Sequence, residues 1–130
     1  MVTIIDDTSE AAHPAPPIPW SRANALLRMD GDEKLLLEIL QIFLQEYPKQ
    51  IAQMDRGLAE LKPDLLEQAA HSLKGELGFL GVPEIERLAR QLEEIGRQRQ
   101  LTAAPEVLAL LKKQLSGFVE IIRNDVGAGP

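Results

Sequence analysis

The sequence contains no cysteine, and that absence removes disulfide scaffolds, zinc ribbons, iron–sulfur clusters and thiol nucleophiles together. Aromatic residues are scarce, at 4% of 130 residues, so little of the material that favours strands is present. No apolar run approaches the length of a membrane-spanning helix, and the N-terminus lacks the basic-then-apolar layout of a signal peptide. Positive charge is in the minority. The net charge of −6 argues against non-specific nucleic-acid binding and against binding to anionic membrane surfaces. A cytoplasmic protein is the expectation.

What is present is a composition rich in Leu, Glu, Gln, Arg and Ala, with 45% hydrophobic and 26% charged residues. That balance describes one globular domain built from helices. The charge is unevenly placed: residues 1–19 carry Asp6, Asp7 and Glu10 with no Lys or Arg. The same stretch holds a β-prone run, Val2 to Ile5, and the proline cluster Pro14, Pro16, Pro17 and Pro19. Clustered prolines forbid a helix and favour extended backbone. Residues 1–19 are therefore expected to be a flexible acidic, Pro-rich tail. Residues 20–126 should form the domain, and 127–130 a flexible C-terminus.

From Trp20 onward the apolar spacing is helical. Ser21 can cap a short helix that Asp30-Gly31 ends near Met29. Asp32 opens a long segment whose stripe is Leu36, Leu40, Phe43, Tyr47, Ile51, Met54, Leu58 and Leu61, with steps of three and four. Pro48 inside it predicts a kink or a brief break. Pro63, Pro83 and Pro105 each sit where a helix can begin. The second helix should stop at Gly81 and the third near Gln100. The last carries Leu108, Leu111, Leu115, Val119 and Ile122 on one face. The fold class is all-α: an antiparallel up-down four-helix bundle with a short additional N-terminal helix.

One segment breaks the rules of an ordinary surface helix. With about 100° per residue, Leu66, Ala69, Ala70, Leu73, Leu77 and Leu80 gather on one side, and His71 falls almost opposite them. Gly75 follows His71 by one turn and Gly78 by two, with Lys74 beside them and Glu67 and Gln68 one turn back. A mid-helix glycine costs about 0.5–1 kcal/mol relative to alanine. Two of them on an outward face ask for a reason, and access is the physical one. Bare backbone lets another protein press against the helix and reach the imidazole.

The chemistry of that imidazole is narrowed by what surrounds it. A metal site needs several ligands, and the only other histidine is His13 in the tail; no metal or cofactor is expected. Ser72 adjoins His71 but points about 100° away, and no oxyanion loop or phosphate-binding glycine loop is present. A nucleophilic imidazole open to a large partner remains.

At these residues the sequence is recognisable. His71-Ser72-Leu73-Lys74-Gly75, followed by Leu80-Gly81, resembles the signature of histidine-containing phosphotransfer (HPt) domains. Gly31-Asp32-Glu33, the Phe43-Leu44…Pro48 stretch and Leu88-Ala89…Leu92-Glu93 resemble the flanking elements of that family, over residues 20–123. The resemblance implies a phosphorelay intermediate without catalytic activity of its own, exchanging a phosphoryl group with the aspartate of a response-regulator receiver domain or with a hybrid sensor histidine kinase. It makes His71 the phosphoacceptor and Lys74 its electrostatic assistant, and it keeps position 75 small. The receiver supplies the aspartate, the metal ion and most of the catalytic apparatus. The chain is expected to be a monomer. Relatives that lack the histidine act as binding modules, and a detached end of a larger kinase is a further reading.

The family often places Glu or Gln where Glu93 stands, with its side chain reaching the imidazole; the other reading puts Glu93 on a solvated charged face with Glu94, Arg97 and Arg99. Arg97, one turn on, is expected to help hold phosphate or a partner's acidic pocket. Gln68, Gly75, Gly78, Phe79 and Arg97 form the expected docking face. Glu76 and Leu77 depart from the small or polar residues common after the glycine. Phe79 departs too, and is expected to pack against the leading helix at 21–29, with anchoring a receiver as its other role.

Overall fold

The computed structural model describes residues 20–128; the acidic tail and its Val2–Ile5 run lie outside the described residues. The described chain is helical, with α1 at Arg22–Leu27, α2 at Glu33–Ala59, α3 at Pro63–Leu80, α4 at Pro83–Gln98 and α5 at Ala104–Ala128. A 3-10 turn, Leu101–Ala103, leads into α5. Helix α2 packs on α3 and α5, and α4 packs on α3 and α5, which closes a four-helix ring. Short connections make consecutive helices antiparallel.

The starts of the helices follow local chemistry. Ser21 and Asp32 accept from the backbone N–H groups of Asn24 and Leu35, satisfying donors that a helix start leaves free. Pro63 and Pro83 stand at the first helical position of α3 and α4, where a missing N–H costs nothing. Pro105 is the second residue of α5, because the 3-10 turn delivers the chain into the helix at Ala104.

Three features depart from the sequence reading. Helix α2 runs unbroken through Pro48, so of the kink or brief break expected there the break does not occur. One backbone bond is lost there, yet Phe43 before it and Met54 after it are both buried, and that packing outweighs the loss. Leu61 is not in the stripe: α2 ends at Ala59, and Leu61 adopts φ +55° in the turn and is 74% exposed. Finally, α5 continues through Ala128, two residues past the expected end of the domain.

The core is aliphatic, with Leu36, Leu40, Met54, Leu66, Leu73, Leu77, Leu92 and Leu111 fully buried. Phe118, which the spacing of α5 did not single out, is fully buried as well. It meets the edges of Trp20 and Phe43 with ring centroids 5.7 Å apart in each case, a favourable aromatic geometry.

Helix α1 caps the far end of α3. Trp20 Nε1 donates to the Leu80 carbonyl at 2.8 Å, and Arg28 Nη1 donates to the carbonyls of Gly78 at 2.5 Å and Phe79 at 3.0 Å. The Gly78 carbonyl also accepts from Gly81 N–H, whereas the end of a helix leaves carbonyls such as those of Phe79 and Leu80 without a partner in the helix, and a cation there suits the helix dipole.

Glycines separate two kinds of surface. A Cβ on Gly96 of α4 would stand 2.8 Å from the backbone of Pro63 and of Glu67 on α3, so this glycine sets how closely the two helices approach. A Cβ on Gly75 would meet nothing within 4 Å. Gly96→Ala is therefore expected to lose about 1–3 kcal/mol through overpacking, whereas Gly75→Ala gains about 0.5–1 kcal/mol from helix propensity. Urea unfolding midpoints of the two variants check the opposite signs.

Candidate functional site

The core stripe of α3 faces inward as its spacing predicts, with Leu66, Ala69, Ala70, Leu73, Leu77 and Leu80 all buried. His71 consequently stands on the opposite side, and its side chain is 67% exposed. The ring is exposed without being free. Its Nδ1 lies 2.7 Å from Glu93 Oε2 on α4.

Glu93 is the centre of the arrangement. The residue is only 5% exposed, and both its oxygens are occupied. Lys74 Nζ donates to Oε1 at 2.8 Å, while Arg97 Nη2 donates to Oε2 at 3.2 Å beside the imidazole. Burial pushes the Glu93 carboxyl upward, but the hydrogen bonds from Lys74 and His71 and their charges outweigh it and hold it below its ordinary value. An ionised carboxylate has no proton to give. The ring nitrogen facing it is therefore the donor, which fixes the Nδ1–H tautomer and leaves the Nε2 lone pair directed away from Glu93.

Arg97 is shared among three acids. Besides Glu93 it reaches Glu94 at 2.6 Å and Glu67 at 3.4 Å. Arg97, Glu93 and Glu67, together with Gln68, Ser72 and His71, line a shallow hollow on one side of the imidazole. The other side is a groove of about 500 Å³ between α2 and α3, lined by Ile39, Ile42, Phe43, Gly75, Glu76 and Phe79 along with His71. Phe79 is 48% exposed there. Its side chain lines this groove with residues of α2, and its carbonyl accepts from Arg28 just beyond α1.

Gly78 is corrected. It does not lie bare beside His71: a Cβ there would stand 3.2 Å from Glu86 Oε2, and Arg28 occupies its carbonyl. Only Gly75 of the two opens onto empty space. The helical wheel put both on one face, but Glu86 from α4 folds over the second and Arg28 from the α1 end reaches it too, and no wheel of a single helix shows that.

Sequence reasoning missed a second polar contact. Gln50 of α2, 9% exposed, donates through Nε2 to Glu76 Oε2 at 2.8 Å. Burial pushes the Glu76 carboxyl above its ordinary value, the Gln50 hydrogen bond opposes this, and the charge of Glu46 adds to the rise. The one available signal was a Gln standing at a core-facing position, i+3 from Tyr47 and i−4 from Met54. Among the described residues, no cluster of His, Asp or Glu could hold a metal ion, and no helix is long and apolar enough to cross a membrane.

A family model described as the Hpt domain matches residues 38–121. A crystal structure of histidine-containing phosphotransfer protein B from Pseudomonas aeruginosa PAO1 superimposes with a TM-score of 0.79 at 17% identity, covering 89% of this chain and 99% of that one. That likeness concerns the fold. A comparison with curated proteins gave no match.

The geometry at Glu93 has a pH consequence. A carboxyl held below its ordinary value stabilises the fold at pH above the unfolded carboxylate range, near 4.3. That contribution disappears as pH falls through the lower folded value. Glu93→Gln is expected to lose about 1–3 kcal/mol at neutral pH and to unfold with a flatter acid limb than the parent chain. Thermal unfolding followed from neutral to acid pH measures both.

Proposed function

We propose a specific role on the premise that the chain belongs to the Hpt domain family, whose members carry phosphoryl groups in phosphorelay signalling. In that role His71 accepts a phosphoryl group and exchanges it with the aspartate of a response-regulator receiver domain, and a hybrid sensor kinase is the other partner of this kind. The observation that supports it above all is the state of the imidazole: exposed, held through Nδ1 by a buried carboxylate 2.7 Å away, and open at Nε2.

The step balances on these groups. The Nε2 lone pair attacks the phosphorus of an aspartyl phosphate, an N–P bond forms, and the P–O bond to the aspartate breaks with its electrons returning to that carboxylate. The neutral ring becomes a phosphorylated imidazolium whose Nδ1–H still faces the Glu93 carboxylate. Glu93 is a positioning residue here, fixing the tautomer and balancing the ring's positive charge. Lys74, a quarter exposed and 2.8 Å from Glu93, and Arg97 are the cations nearest the incoming phosphoryl oxygens. Reversal of the same step returns the group to a receiver. The chain supplies the acceptor and its setting, and the receiver supplies the aspartate and its metal ion.

Docking uses the exposed surface around the ring. The groove with Ile42 and Phe79 offers apolar contact, the hollow with Gln68 and Arg97 offers polar contact, and Gly75 leaves the space between them clear.

Incubation with a phosphorylated receiver domain is expected to label the chain with acid-labile, base-stable phosphate, and His71→Gln to abolish the label. Equal labelling of the variant would remove His71 from the role. Tight receiver binding with no label on the parent chain would make the protein a binding module instead. Gly75→Glu tests access separately. The fold should be retained or slightly stabilised, while transfer from the receiver falls by about a hundredfold, as misplacement by a few ångströms requires.

A further inference from the structure

The groove beside His71 is lined by an acid, Glu76, that the phosphotransfer step does not use, and a second acid, Glu46, stands within charge range of it. Glu76 follows Gly75 on α3 and packs against α2, where Gln50 donates to its Oε2. Its Oε1 and the Gln50 side-chain oxygen are both closed off from solvent with no hydrogen-bond partner. Glu46 stands one turn before Gln50 and one turn beyond Ile42 on α2, close enough for its charge to act on Glu76. Its ion-pair partner is Lys49, at 3.2 Å in an exposed pair, which screens it little. Around these acids the surface is apolar, with Ile42 54% exposed and Phe79 beside it. Across His71, on the side of α4, the cations are already paired, Lys74 with Glu93 and Arg97 with Glu67, Glu93 and Glu94. The face around the imidazole thus has an acidic flank toward α2 and a flank of mutually paired charges toward α4.

Covering the groove withdraws the acidic flank from water. A carboxylate dehydrated without a counter-charge costs several kcal/mol, and Glu76 already lacks one partner that its burial demands. A purely apolar surface meets that cost in full. A surface that brings a cation against Glu46 gains an attraction that strengthens as water leaves, and the same cation offsets the charge of Glu76 beneath.

We propose that Glu46 and Glu76 are specificity-determining residues of the docking face, admitting receiver domains that set a Lys or Arg beside their apolar contact patch and rejecting those that are apolar throughout. The proposal rests on the phosphotransfer reading and adds the chemistry of the partner. It is selection through a penalty on the wrong partner as much as through attraction to the right one.

Two groups of purified receiver domains provide the test, one with and one without a basic residue in the apolar patch. Dissociation constants are measured by calorimetry with the full chain, at low and high salt, and in two buffers of different ionisation enthalpy. At low salt the parent chain should bind the basic group about tenfold more tightly, and high salt should shrink the ratio. Glu46→Gln and Glu76→Gln should each narrow it, the second by strengthening binding of the apolar group. Glu46→Lys should bind better to a receiver whose basic residue is changed to Glu than to the unchanged one. Thermal unfolding verifies that each variant is folded, and Glu46 is exposed enough for its variants to keep the fold whatever becomes of position 76.

An unchanged ratio in both neutral variants overturns the proposal. So does uptake of one proton on docking by the parent chain but not by Glu76→Gln, because a proton and not a partner's cation would then neutralise the acid. Labelling of the parent chain by phosphoramidate, a small donor that needs no docking, is run alongside. Its absence counts against His71 as phosphoacceptor, whereas a flat selectivity ratio in a labelled chain counts against the acids alone.

Discussion

The Glu93 carboxylate, taken out of water between α3 and α4, is the interaction on which the functional side of the bundle depends. A buried carboxylate is tolerated only when its oxygens are paired, and here the donors are His71, Lys74 and Arg97. The requirement runs in both directions. Glu93 needs these donors to remain ionised, and the exposed imidazole needs Glu93 to be held in one orientation and one tautomer. None of this is possible unless α4 lies very close to α3, and Gly96, three residues after Glu93, permits that approach. A glycine that never touches the histidine therefore sets the distance at which the histidine is held.

Helix α3 is fixed at its other end by different means. Its last carbonyls are taken by Trp20 and Arg28, and Gly81 turns the chain at φ +79°, a conformation that glycine adopts without penalty. The short leading helix thus contributes little to the four-helix core and much to the rigidity of the helix that presents His71. Rigidity matters because the histidine is solvent-exposed, and an exposed side chain is otherwise oriented only by its own rotamer preferences.

Much of this was legible in the sequence. The 3.6-residue stripe of α3 determined which way His71 faces, since six leucines and alanines must go inward together. Ser21, Asp32, Pro63 and Pro83 marked helix starts because each solves a problem of unpaired backbone N–H groups. What was illegible depended on a second helix. Glu93 lay in a run crowded with charges where only the family resemblance pointed it at the imidazole, a contact the structure contains, and it is the approach of α3 that distinguishes it from Glu94, its exposed neighbour. Gly78 and Gly75 read alike on one wheel and differ because Glu86 and Arg28 arrive over one of them. Pro48 read as a kink or a brief break because local propensity cannot weigh the packing of Phe43 and Met54 that keeps the helix continuous on either side. Leu61 matched the period of a helix that had already ended, and Gln50 with Glu76 became a pair only when α2 met α3.

The sharing of Glu93 also bears on how tightly His71 could retain a phosphoryl group. Two unpaired cations beside the ring would each add a charge-assisted hydrogen bond of about 1.5–3 kcal/mol to the phosphorylated state, roughly ten- to a hundredfold in equilibrium per bond. A histidine so surrounded would be a sink. Here Lys74 is already bound to Glu93, and Arg97 is divided among Glu67, Glu93 and Glu94, so either cation must weaken an existing pair before it serves a phosphoryl oxygen. The net gain is what remains after that exchange, which is small. A carrier has to accept the group and also give it up, and interactions that stabilise the bound state without favouring transfer only slow its release. In the proposed role, the carboxylate that orients the imidazole thereby also limits how strongly its neighbouring cations can hold a phosphoryl group.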